Sequence, residues 1–100
     1  MNKVSFHEFL QRCSKLKLAI SITGKASYDN FQTTKEKLYF YRVNTKKSWK
    51  IDLRQLYGAY QQLDVITPTI LRKVMTNRIY SPAWAVLVEA GFYNRYGFKI

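Results

Sequence analysis

Histidine and cysteine each occur once in this sequence, as His7 and Cys13, and the carboxylates number only six: Glu8, Asp29, Glu36, Asp52, Asp64 and Glu89. A zinc site needs four convergent nitrogen or sulfur ligands at close spacing, so the composition argues against a metal. One cysteine forms no intramolecular disulfide, which fits a reducing, cytoplasmic compartment. Cys13 lies on the apolar stripe of a first helix and reads as core. His7 lies in that helix's first turn and reads as exposed or capping.

Acid–base chemistry is equally poorly supplied. Glu8 and Asp52 stand in helix-opening positions. Asp29, Glu36 and Lys37 lack the motif of a metal-dependent nuclease. His7 and Glu8 are adjacent on a helix and do not face each other, so they make a poor acid–base pair. The glycines, at 24, 58, 91 and 97, never cluster into a phosphate-cradling loop, and no serine sits in a nucleophile elbow. The expectation is a non-enzymatic protein with no catalytic residue, metal or cofactor.

Long apolar runs are missing too. The longest, Ala83 to Val88, falls far short of the roughly 20 residues of a membrane span. Lys3, His7, Glu8, Gln11 and Arg12 interrupt any secretion-signal core near the start. A soluble, cytoplasmic protein is expected. One hundred residues set an expectation of a single domain, 1–100, without repeat or linker. With 47% apolar residues, including sixteen aromatics, it has ample material for a core.

Positive charge is what the chain has in excess. Seventeen Lys and Arg against six Asp and Glu give +11. Residues 1–50 carry eleven basic and three acidic groups, residues 51–100 six and three. A field of that sign draws polyanions, and salt weakens it.

Local signals set the order of elements. Ser5 with Glu8 makes a capping box, Val4 and Phe9 a staple, and Phe6, Phe9, Leu10, Cys13 and Leu16 one apolar stripe. Leu18, Ile20 and Ile22 alternate as a strand ending at Gly24. Residues 25–36 read mostly as loop around a turn at Asp29-Asn30, with Ser27 to Phe31 a candidate edge strand. Leu38 to Val43 and Trp49 to Ile51 form a hairpin around Asn44–Ser48. Asp52 with Gln55, Thr67-Pro68 and Ser81-Pro82 open three further helices, the last closed by Gly91. Tyr96, Phe98 and Ile100 read as a closing strand. The fold expected is α+β: an N-terminal helix, an antiparallel sheet including a basic hairpin, and three C-terminal helices.

Setting Val43 opposite Trp49 and Tyr41 opposite Ile51 puts Tyr39, Tyr41, Val43, Trp49 and Ile51 on one apolar face, with Arg42 and Lys50 on the other beside Leu38 and Phe40. Lys46 and Lys47 at the tip and Lys35 and Lys37 at the base complete a basic projection suited to the phosphates of a nucleic acid, the partner expected for this protein. Arg12, Lys15 and Lys17 from the first helix extend it, and Tyr39, Phe40 and Tyr41 offer rings for stacking. Six phosphate contacts among these correspond to a log–log salt slope of about −5 on duplex DNA.

A helix-turn-helix fits poorly, because Pro82 to Val88 is almost wholly apolar where a recognition helix needs polar side chains. That helix instead suggests an alternative, a protein-interaction module (an inhibitor or adaptor of an acidic partner). It would self-associate as a homodimer through Trp84, Val86 and Phe92, with Tyr93 and Tyr96 extending the patch.

Overall fold

The computed structural model describes residues 4–75 and 79–100. Helix α1, Phe6–Ser14, begins where the Ser5 hydroxyl accepts from the Glu8 amide at 3.2 Å. It buries Phe9 and Cys13, as the stripe predicts. Asp52 caps α2, Leu53–Gln62, taking the amides of Arg54 and Gln55 on Oδ1. Thr67 caps α3, Pro68–Val74, through the Ile70 amide at 3.1 Å. The second half of the box at Asp52 is not made. The Gln55 side-chain Nε2 donates instead to the Val74 carbonyl at the end of α3, tying two helices together.

Four antiparallel strands, β1 (Leu18–Ile20), β2 (Ser27–Thr34), β3 (Lys37–Arg42) and β4 (Ser48–Asp52), lie in sequence order. The α+β architecture is therefore the expected one. Its details differ in four places, each with a physical reason.

Residues 27–34 form a strand inside the sheet, paired on both sides, not a loop or an edge. Asp29-Asn30 is a register irregularity, with Asn30 at φ 55°, and not a chain reversal. The strand is polar because every second side chain faces solvent. The reversal comes later, at Lys35–Glu36, with Lys35 at φ 56°. It is fastened to α2, since the Glu36 carbonyl accepts from the Leu53 amide at 2.8 Å.

The hairpin register is the second difference. Leu38 pairs with Ile51, Tyr39 with Lys50, Phe40 with Trp49 and Tyr41 with Ser48. A tight loop closed by Arg42 and Lys47, with Lys46 at φ 56°, sets it. Positive φ is uncommon outside glycine and asparagine, so nothing in the local sequence announces this loop. Leu38, Phe40 and Ile51 consequently face the core, and Tyr39 and Tyr41 face out.

Third, β1 turns Ala19 inward and leaves Leu18 and Ile22 exposed. Helix α4, Tyr80–Glu89, packs on β1 and α3, and the small Ala19 and Ser21 leave room for it. Ser81-Pro82 does not open α4, which starts at Tyr80. Pro82 still lies in the first turn, where its missing N–H leaves no bond unmade. Gly91 ends the helix in the left-handed region, as expected.

Fourth, the tail joins no strand of the sheet. Isolated bridges join Phe98 to Val65 and Lys99 to Tyr93. One buried cluster runs from Phe9 and Cys13 through Leu38, Phe40 and Ile51 to Leu56, Tyr60, Trp84 and Phe92. The helices and one face of the sheet share this core.

Candidate functional site

With the helices gathered on its inner side, the sheet presents an open outer face. Cross-strand pairing orders it into rows. Leu18, Asp29, Tyr41 and Ser48 make one, Gln32, Tyr39 and Lys50 the next, and Thr34, Lys37 and Asp52 the third. Tyr39 and Tyr41 stand at its middle, 38% and 45% exposed. Among the described residues neither ring packs on another aromatic and neither hydroxyl is hydrogen-bonded. Most other tyrosines are engaged: the Tyr57 hydroxyl donates to the Val4 carbonyl at 2.7 Å, and that of Tyr93 donates to the Leu63 carbonyl.

Two clefts open on this face, one against each tyrosine. The larger, of about 550 Å³, is lined by Tyr39 with Thr34, Lys35, Glu36, Lys37, Asp52 and Arg54. The smaller, of about 380 Å³, is lined by Tyr41 with Asp29, Asn30, Arg42, Val43 and Lys46. Cations therefore stand at both ends of β3 with the two rings between them.

Arginine and lysine have separate fates. Arg12 donates twice to the Ala90 carbonyl and lies 4.2 Å from the Phe92 ring centre. Arg54 pairs with Glu36 and covers Phe6; Arg72 and Arg95 lie over Tyr80 and Trp84. Planar, weakly hydrated guanidinium suits such stacked and forked contacts. Lys35, Lys46, Lys47 and Lys50 are exposed and form no ion pair among the described residues.

Of the residues singled out from sequence, Lys35, Lys46 and Lys50 border the outer face, and Lys47 is exposed in the loop at its edge. Lys37 is there too, paired with Asp52 at 3.9 Å. Lys15 and Lys17 are exposed at the α1–β1 junction, about 14 Å from β4 across three strand spacings. Arg12 drops out, because its guanidinium holds the end of α4. Arg42 borders the Tyr41 cleft but is turned inward: it pairs with buried Tyr28, and its own buried Nε has no partner among the described residues. The tyrosines were legible only as ring donors, on the wrong side of the hairpin. Phe40 is fully buried against Tyr28 and Phe31 and offers no ring.

Trp84, Val86 and Phe92 are 1%, 0% and 2% exposed within a single chain. They are core side chains, covered within one chain. Helix α4 is covered by α3 and β1, and Arg12 satisfies the carbonyl at its end. Cys13 is buried as expected, and burial pushes its thiol up to about 12, against the lowering effect of the Arg12 charge. His7 is exposed, with Gln11 at 3.2 Å. No three His, Cys, Asp or Glu side chains converge among the described residues, and no helix there is long and apolar enough to cross a membrane.

Comparison with protein-family models, with curated proteins and with solved structures returns no match.

Proposed function

We propose that the chain is a non-enzymatic binding protein that holds the phosphates of a nucleic acid across the outer face of its sheet. The observation that carries this reading is the division of the cations. The described arginines are engaged or half-buried, while Lys35, Lys46 and Lys50 stand free around one open face and Lys47 is exposed in the loop at its edge. Unpaired ammonium groups make point contacts to phosphate, positioning a backbone without reading sequence. The excess charge, +11 over the chain, adds long-range attraction of the same sign. A buried, unreactive thiol suits a reducing compartment, and we place the protein in the cytoplasm.

The test is affinity for duplex DNA, single-stranded DNA and RNA across salt concentrations. Four lysine contacts give a log–log slope of about −3.6 on duplex and about −2.8 on a single strand. Lys46→Glu/Lys47→Glu, with folding checked by circular dichroism, brings the slope to about half. A slope near zero removes the reading.

A protein partner is the second reading, favoured by the tail. Tyr96, Phe98 and Ile100 are 83%, 53% and 68% exposed, more apolar surface than a phosphate grip uses. Binding to an acidic protein, with no affinity for any nucleic acid at low salt, would establish it.

A further inference from the structure

Tyr39 and Tyr41 are two residues apart on one face of β3, which sets their Cα atoms about 6.8 Å apart. Stacked duplex bases repeat every 3.4 Å along each strand, too closely for two such rings to take successive bases of a duplex. An unpaired strand, with its bases splayed, can set one on each ring.

The surroundings of each ring support the same occupant. Tyr39 has Gln32 and Lys50 as cross-strand neighbours, and Tyr41 has Asp29 and Ser48. An amide, a carboxylate and a hydroxyl are hydrogen-bonding groups of the kind that meet base edges. Each ring also borders its own cleft, and the free Lys35 and Lys46 line those clefts at opposite ends of β3. Cation, ring, ring, cation along one strand complements phosphates flanking two bases.

On the premise that this face holds a nucleic acid, we infer that it takes an unpaired strand, with neighbouring bases stacked on Tyr39 and Tyr41. The probes are a labelled DNA oligonucleotide, the RNA of the same sequence and the corresponding duplex. They are bound to the full chain, to Tyr39→Ala/Tyr41→Ala and to Tyr39→Phe/Tyr41→Phe. Both rings are substantially exposed, and unchanged circular dichroism and melting temperature verify that the variants fold. The full chain should favour single strands over duplex by about tenfold or more. The alanine pair should weaken single-strand binding about a hundredfold, at about tenfold per stacked base, and leave duplex binding unchanged. The phenylalanine pair should retain single-strand affinity, because the ring face does the stacking. Ultraviolet crosslinking should attach the oligonucleotide to the peptide containing both tyrosines.

Equal affinity for duplex and single strand, or undiminished single-strand binding by the alanine pair, overturns the inference. In either case the phosphate grip stands if Lys46→Glu/Lys47→Glu still weakens binding. Failure of the full chain to bind any of the three probes removes both.

Discussion

The Arg12 guanidinium lies on the end of a helix that begins sixty-eight residues later in the chain, donating from Nε and Nη2 to the carbonyl of Ala90 at 3.1 and 2.8 Å. Charged hydrogen bonds of this kind contribute more than neutral ones, and they answer the negative end of the α4 dipole. Arg12→Ala should therefore lower stability by about 2–3 kcal/mol. Urea unfolding checks it, and a loss under 0.5 kcal/mol, the size of an ordinary surface change, would refute it. A Cβ on Gly91 would sit 2.7 Å from the same guanidinium, at φ 86°. Gly91→Ala should consequently cost less in the Arg12→Ala background than alone, and a double-mutant cycle reads that coupling.

Gly97 presents a harder obstacle. At φ 88°, a Cβ there would run into the Ile66 carbonyl oxygen, and that backbone is fixed by the Ile66 amide donating to the Gly97 carbonyl at 2.7 Å. Gly97→Ala should destabilise by about 3 kcal/mol or more, above the usual range for a strained glycine site. A melting temperature within a degree or two of the parent would contradict this.

Asp52 separates two effects by substitution. Its Oδ1 caps α2, while Oδ2 lies 3.9 Å from Lys37. Asp52→Asn keeps a capping oxygen and loses the ion pair; Asp52→Ala loses both. The exposed pair is worth little, so asparagine should cost under about 0.5 kcal/mol and alanine about 1 kcal/mol. Similar losses in both variants would put the ion pair ahead of the cap.

Thiol chemistry should report unfolding. Burial lifts Cys13 from an ordinary 9.0 to about 12, so between those values the folded chain keeps a proton that the unfolded chain releases. Stability then falls as pH rises through that window. Tyr93, raised first by its own burial and then by Tyr60 and Asp64, adds to the fall above pH 10. Cys13→Val should flatten the lower part of the profile, and iodoacetamide at pH 8 should modify Cys13 only as fast as the protein opens. Rapid alkylation under native conditions would deny the burial.

Asp29 belongs to the same row as Tyr41. Next to phosphates a carboxylate repels, whereas against a base edge it accepts from an amino group, as acidic side chains do with cytosine. Oligo-dC should bind more tightly than oligo-dT by about fivefold, at the low end of such discrimination. Asp29→Asn should narrow that gap while raising affinity for both. An unchanged ratio would place Asp29 away from the base.

What the sequence reveals depends on how local the cause is. Ser5, Asp52 and Thr67 each bond an amide two or three residues ahead, so the three helix starts are readable from short spacings. Hairpin register is not, because it depends on left-handed Lys46, a residue type that carries no turn signal. The shift it introduces exchanges the outward and inward residues of β3 while Ile51 stays inward, moving Tyr39 and Tyr41 from core to surface. The site's lysines were therefore legible as charge, but its rings were misplaced. Arg12 was misread for a different reason: its partner lies in an element that its own helix stripe does not mention.

The pairing of β1 with α4 also has a consequence in time. Residues 18–20 are covered by a helix that begins at residue 80, so the first strand emerges from synthesis long before its cover does. A contact so distant in sequence forms late, after a large loop has closed. Until α4 arrives, Ala19 and the inner side of β1 lie bare, and a short edge strand in that condition is open to pairing with other chains.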